Sequence, residues 1–335
     1  MRHGTDSGEA PLGRGVHCAL LAPRLDLKRA SRLTLVPPLN EPWFLTRGEG
    51  MNLFPRSTHS GVRAVVQCEV CGVEYDAAAL PDICPICADE RQYLAPDRQQ
   101  RWVDPAAYAG RIDVFEKEPG LWAIDVEGGP GIDQQATVIV TPAGTVMVEA
   151  PASITPEAVE AVRALGTMRA IIASHPHMYG VQSLWSRALG DVPVHVSASD
   201  REWLGLTPDT VVFWDDAVEL VPGVVASQPG GHFSGSCVVH WAGEDHAGVL
   251  LTGDTVAVNP DGETLAFMRS YPNRIPLSAA VVLRIAEHLE RYEYDRIYGN
   301  FGLGIASDAK NRLRASAQRH AAWARGDFDH LTGTG

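Results

Sequence analysis

The chain has 335 residues, 45% of them apolar and 7% aromatic, which suffices for one large core or for two domains of unequal size. A net charge of −13 sits badly with a phosphate backbone, whose binders usually present a basic face, so nucleic acid is not an expected partner. No window reaches the ~18 uninterrupted apolar residues of a membrane span, and the N-terminus lacks the apolar run and small-residue cleavage site of a secretory signal; the expectation is a cytoplasmic protein without a membrane partner.

In chain order, residues 1–60 come first as an expected disordered extension, because the head is rich in Gly, Pro and Arg and shows no sustained hydrophobic period. Within it, "RLDLKRASRLTLV" has the basic, partly apolar character of a transit segment, and a gene start at Met51 fits equally well. Residues 61–100 then carry "CEVCGVEYDAAALPDICPIC", in which Cys68, Cys71, Cys84 and Cys87 are spaced C-x2-C-x12-C-x2-C. Each C-x-x-C pair makes a tight knuckle aiming two thiolates at one ion, and two knuckles close a tetrahedral four-sulfur site. The segment resembles zinc ribbons and the short rubredoxin-like modules attached to rubrerythrins, in which bound iron carries electrons. Zinc and iron both accept four thiolates, so the spacing does not name the metal. We favour structural zinc, since a unit of about 30 residues buries too little surface to fold without a staple.

Residues 101–335 are the expected main domain. From residue 111, β-branched runs such as "QATVIVTPAGTVMVEA", "MRAIIAS", "VPVHVSA" and "GVLLTGD" alternate with helix-like stretches such as "TPEAVEAVRALG" and "IPLSAAVVLRIAEHLERY", which predicts a layered α/β fold. Thr155 followed by Pro156 reads as an N-cap with proline at the first helical position. Polar residues interrupt the apolar strands at their C-terminal ends: His175 and His177 in "SHPHMYG", His232 in "GGHFSGS", and Asp254 in "LLTGDTV". Residues two apart in an extended segment project to one side, so His175 and His177 are expected to reach one ion, with Pro176 biasing His175 toward extended backbone. Ser234 and Ser236 are candidates to orient the His232 imidazole. Burying Asp254 unpaired would be costly, and a metal removes that cost.

The order H-x-H, then G-H-x-x-G-S, then G-D resembles the metallo-β-lactamase superfamily across roughly residues 111 to 325. The resemblance implies an αββα sandwich with the metal site at one edge, His175, His177 and His232 as ligands of a first metal, and Asp254 at the bridging position. The family's Asp-His pair for a second metal is replaced here by Tyr179 and Gly180, and Asn300 stands near its final histidine. One catalytic metal is therefore expected.

Three neutral histidines holding a divalent ion lower the pKa of a bound water to ~7, which points to hydrolysis of a small-molecule ester, thioester or related substrate with zinc, or iron, in the site. Tyr179 is a candidate hydrogen-bond donor to the nucleophile, or a packing aromatic. His175, His232 and Asp254 also form a 2-His-1-carboxylate set, the ligand type of non-haem iron oxygenases, and the persulfide dioxygenase branch of the superfamily resembles it. A non-catalytic binding protein is the third class. "FMRSYPNRIPLS" suggests a loop over the site in which Arg269, Tyr271 and Arg274, together with Asn300, are candidate substrate contacts. Cys237 is expected to pack in a strand.

Overall fold

The computed structural model describes residues 64–333 apart from 96 and 108; Cys18 and the extension expected over residues 1–60 lie outside the described residues. Two mixed sheets face each other. The first has seven strands in the spatial order Val211–Trp214, Val194–Ser197, Met168–Ile172, Gly144–Val148, Ala136–Thr141, Leu121–Glu127 and Arg111–Glu118. The second has six, in the order Ala217–Val221, Val224–Ser227, Val238–Trp241, Val249–Leu251, Arg296–Tyr298 and Gly304–Ile305.

The period of two along these strands explains the layering, because successive side chains serve opposite faces. In Met168–Ile172, Ile171 joins an outer core with the helices Pro156–Ala164 and Gln182–Ala188, whereas Ala170 and Ile172 join the core between the sheets. In Val249–Leu251, Leu250 packs outward on Val282, Ile285 and Leu313 of the helices Ala279–Leu289 and Ala309–Arg325, while Val249 and Leu251 pack inward. The result is helix layer, sheet, sheet, helix layer: the αββα sandwich. Thr155 caps its helix as expected, its side chain accepting from the Ala158 amide with Pro156 in the first turn. Among the described residues no helix is long and apolar enough to cross a membrane.

The four-cysteine segment forms a three-stranded antiparallel sheet of Val65–Cys68, Glu74–Asp76 and Trp102–Val103, with the single-turn helix Pro85–Ala88 between the second and third of these strands in the chain. Its buried residues Val73, Tyr75 and Ile86 belong to the same outer core as Trp185 and Val159. Glu74 completes the join. The helix Gln182–Ala188 has no side-chain cap of its own. Glu74 supplies one from across the interface, accepting from the Ser183 amide at 2.7 Å and from its hydroxyl at 2.6 Å.

Candidate metal centres

In the cysteine unit, Cys68 and Cys87 place their sulfurs 3.7 Å apart, as do Cys71 and Cys84. A tetrahedron of thiolates at about 2.3 Å from one ion has edges of about 3.8 Å, so the four side chains are already at ligand spacing. All four are buried, and Tyr75 and Gln100 lie against the sulfurs of Cys84 and Cys68 at 3.2 and 3.3 Å. Hydrogen bonds from Cys71, Cys84 and Cys87 pull the Cys68 thiol well below its usual range, and the resulting contact with Cys68 pushes Cys71 and Cys87 up. A divalent ion resolves that conflict by taking all four as thiolates.

The second cluster lies where loops leave one edge of both sheets. Met168–Ile172 runs into His175, whose backbone is extended with φ −168 and ψ 170 as the following proline requires. His177 is not in extended chain, contrary to the sequence expectation, because Pro176–Met178 makes a 3-10 turn. That turn, rather than strand alternation, brings the two rings to 5.1 Å. His232 comes from the loop ahead of Val238–Trp241, and Asp254 follows Val249–Leu251.

One ligand atom from each of these four residues lies within 4.8 Å of the others. His177 Nδ1 is 3.2 Å from His232 Nε2, and Asp254 Oδ2 is 3.6 Å from both His175 Nε2 and His232 Nε2. Ligands at about 2.0 to 2.1 Å from one centre in a tetrahedron stand about 3.3 to 3.4 Å apart, so the donor set fits a single small divalent ion. Buried His175 Nε2 has no hydrogen-bond partner among the described residues, so its lone pair is free for an ion. Burial holds all three imidazoles neutral at physiological pH, with His232 pushed down to about 4. Burial also pushes Asp254 up to about 7, against a stabilising hydrogen bond from Asn300.

The imidazoles are oriented by partners that the sequence did not single out. The Met268 carbonyl faces His232 Nδ1 at 3.1 Å; a carbonyl only accepts, so Nδ1 carries the proton and Nε2 offers its lone pair. His175 Nδ1 meets Ser174 Oγ at 2.8 Å, and the Ser174 amide donates to buried Glu149 at 2.8 Å. Glu149, with φ +66 and its carboxyl pushed by burial to about 8, closes an apolar strand just as Asp254 does, and that signal was legible in "TVMVEA". Ser236 and Ser234 do not orient His232. Ser236 accepts from the Phe233 amide at 2.7 Å, and Ser234 is exposed.

Other sequence expectations are corrected by where the side chains go. Tyr179 is buried and its hydroxyl donates to the Asp200 carbonyl at 3.4 Å, so it is the packing aromatic and not a catalytic donor. Gly180 has φ +48, and a Cβ there would lie 2.2 Å from the Ala150 carbonyl oxygen. No side chain can be built at that position of the second-metal pair without moving backbone. Asn300 is buried against Asp254 and donates to Met178 Sδ at 2.9 Å, serving the carboxylate rather than a substrate. The "FMRSYPNRIPLS" segment is not a free loop but a hairpin of Met268–Ser270 and Ile275–Pro276. In it Arg269 is paired with Glu90, and Tyr271 donates to the Ala266 carbonyl at 3.1 Å with its ring 5.9 Å from His232. Arg274 is exposed at the turn. Cys237 is buried but stands just ahead of the strand Val238–Trp241 rather than in it.

The cysteine unit also reaches this cluster, which no local signal announces. Arg91 lies 3.6 Å over the Phe233 ring and donates to the His232 carbonyl at 3.3 Å, and Phe233 in turn packs on His175, His177 and His232 with centroids 4.9 to 5.8 Å away.

Comparison with known proteins agrees with this geometry. The family model of the metallo-beta-lactamase superfamily matches residues 129–299. The uncharacterized protein YmaE of Bacillus subtilis (strain 168) is 33% identical over 260 residues, spanning 76% of this chain and 94% of that protein. The crystal structure of DIM-1 metallo-beta-lactamase superposes with a TM-score of 0.50 at 16% identity, covering 65% of this chain and 99% of that one, which is a likeness of fold. The chain belongs to the metallo-beta-lactamase superfamily. It carries the fold of that group with one His/Asp cluster and one Cys cluster, both suited to metal.

Proposed function

We propose that the protein is a hydrolase that uses one zinc ion held by His175, His177, His232 and Asp254, with a second, structural zinc held by Cys68, Cys71, Cys84 and Cys87. The observation that carries this reading is the clustering of four donor atoms within 4.8 Å of one another, three pairs of them at 3.2 to 3.6 Å, combined with a backbone carbonyl 2.2 Å from where a side chain at Gly180 would begin. A divalent ion in such a site acts as a Lewis acid and makes hydroxide available near neutral pH. The neutral imidazoles present lone pairs, the Met268 carbonyl fixes the orientation of His232 and Ser174 that of His175, and Asn300 holds the Asp254 carboxylate in line. Tyr271, hydrogen-bonded to backbone, walls one side of His232.

A small ester or thioester is the proposed substrate class: Arg91 and Arg269 are both held by acidic partners rather than free to receive a strongly anionic group. The test is metal analysis of the full chain with a panel of acyl esters and thioesters. The expected result is two zinc ions per chain and an activity lost in His232→Ala. Iron in the histidine site with dioxygen uptake on a persulfide would replace this reading by the oxidoreductase one.

A further inference from the structure

We infer that Asp89 and Arg91 of the four-cysteine unit form a positioning strut for His232 and thereby set the affinity of the histidine site for its metal. Only one residue separates Cys87 from Asp89, whose carboxylate holds the Arg91 guanidinium through two parallel contacts, the second at 3.0 Å. The fork left over spans to the His232 carbonyl at 3.3 Å, and the guanidinium plane covers Phe233 at 3.6 Å and Trp203 at 5.0 Å. Arg91 is 6% exposed, so these contacts are made away from solvent and hold one geometry.

The same short segment also grips the other side of His232. Ser270 donates to the Arg91 carbonyl at 3.0 Å, and Asn273 Nδ2 donates to the carbonyls of Glu90 and Gln92 at 2.8 and 3.0 Å. These bonds fix the hairpin that offers the Met268 carbonyl to His232 Nδ1 at 3.1 Å. His232 is thus held at its own backbone by Arg91, and at its ring by a hairpin that residues 90–92 secure. A ligand whose orienting partners are lost typically costs the site 10–100-fold in metal affinity. The two metal sites of the chain are in this way joined by one buried arginine.

The strut rests on the reading that the histidine cluster binds an ion, and the experiment separates the two claims. Full-length protein is titrated with zinc against a chromophoric chelator at fixed pH, and with cobalt: the thiolate charge-transfer band reports the cysteine site, and the d–d bands of the histidine site are read on protein whose cysteine site holds zinc. Arg91→Ala and Asp89→Asn should each weaken the histidine site by about 10- to 100-fold and shift its d–d bands, with the thiolate band unchanged. Arg91→Lys should fall between, because an ammonium keeps charge over Phe233 but not the fork. A role confined to folding would lower the unfolding midpoint and leave the affinity of the folded protein alone. Should Arg91→Ala not fold, Asp89→Asn and Arg91→Lys decide the matter, since each keeps a long side chain over Phe233 while loosening the fork that reaches the His232 carbonyl. Histidine-site affinity within twofold of wild type in the folded variants overturns the strut. A wild type that binds no ion there overturns the proposed function instead.

Discussion

Replacing Gly180 by alanine tests why the chain has room for one ion at the histidine site. The residue sits at φ +48, where an L side chain costs about 1 to 2 kcal/mol relative to glycine. Its new Cβ would stand 2.2 Å from the Ala150 oxygen and 2.8 Å from the Pro151 oxygen, both main-chain atoms in place of a yielding side chain. Relieving such an overlap typically costs about 1 to 3 kcal/mol, so the sum is about 2 to 5 kcal/mol. The backbone cannot simply move aside. Ala150 donates to Met178, Val181 donates to Pro151, and the Glu74 amide donates to Gly180 itself at 2.9 Å. Any shift therefore drags the turn that carries His177. Urea unfolding of the metal-loaded protein gives the stability change, and chelator competition gives the metal affinity, which should fall as well. A loss below about 1 kcal/mol would refute the argument that backbone packing closes the second-metal position. A histidine at 180, which would complete a family-like pair, meets the same oxygen and is expected to be worse.

Two further outcomes follow from buried carboxylates. Burial raises Glu74 from 4.5 to about 7, so the folded protein keeps a proton that the unfolded chain releases between those values. Stability from this group is accordingly present below pH 4.5 and lost as pH rises through 7. The gap between Glu74→Gln and wild type in denaturant midpoint energy should widen in favour of the variant by about 3 kcal/mol from pH 4.5 to 8; parallel curves would contradict the burial argument. Asp254→Asn keeps the shape of the ligand set and removes its one negative charge. Chelator competition should show at least about tenfold weaker zinc at the histidine site, with the cysteine site unaffected, and equal affinity would remove Asp254 from the donor set.

What the sequence determined by itself was whatever depends on residues close together in the chain. Apolar, β-branched runs such as "MRAII" and "GVLL", alternating with helix-like stretches, made a layered α/β fold legible, whereas the αββα sandwich was what the family resemblance implied. Two C-x-x-C pairs carry their own geometry, and an acid or imidazole ending an apolar run marks where a buried polar group needs a partner. The same reasoning reached His175, His177, His232 and Asp254, although it placed His177 in extended chain instead of a 3-10 turn. The tertiary structure alone decided what each remaining polar group is used for. Tyr179 looked available as a donor to the nucleophile, and Arg269 and Asn300 to a substrate, because nothing near them in the chain claims their donors; the Asp200 carbonyl, Glu90 and Asp254 claim them in space. Arg91 lies 141 residues from His232 in the chain and has no period or spacing to reveal it. Hydrogen-bond satisfaction and steric closure are properties of segments brought together by packing, so a local pattern can nominate ligands for a metal but cannot show which side chains hold those ligands in place.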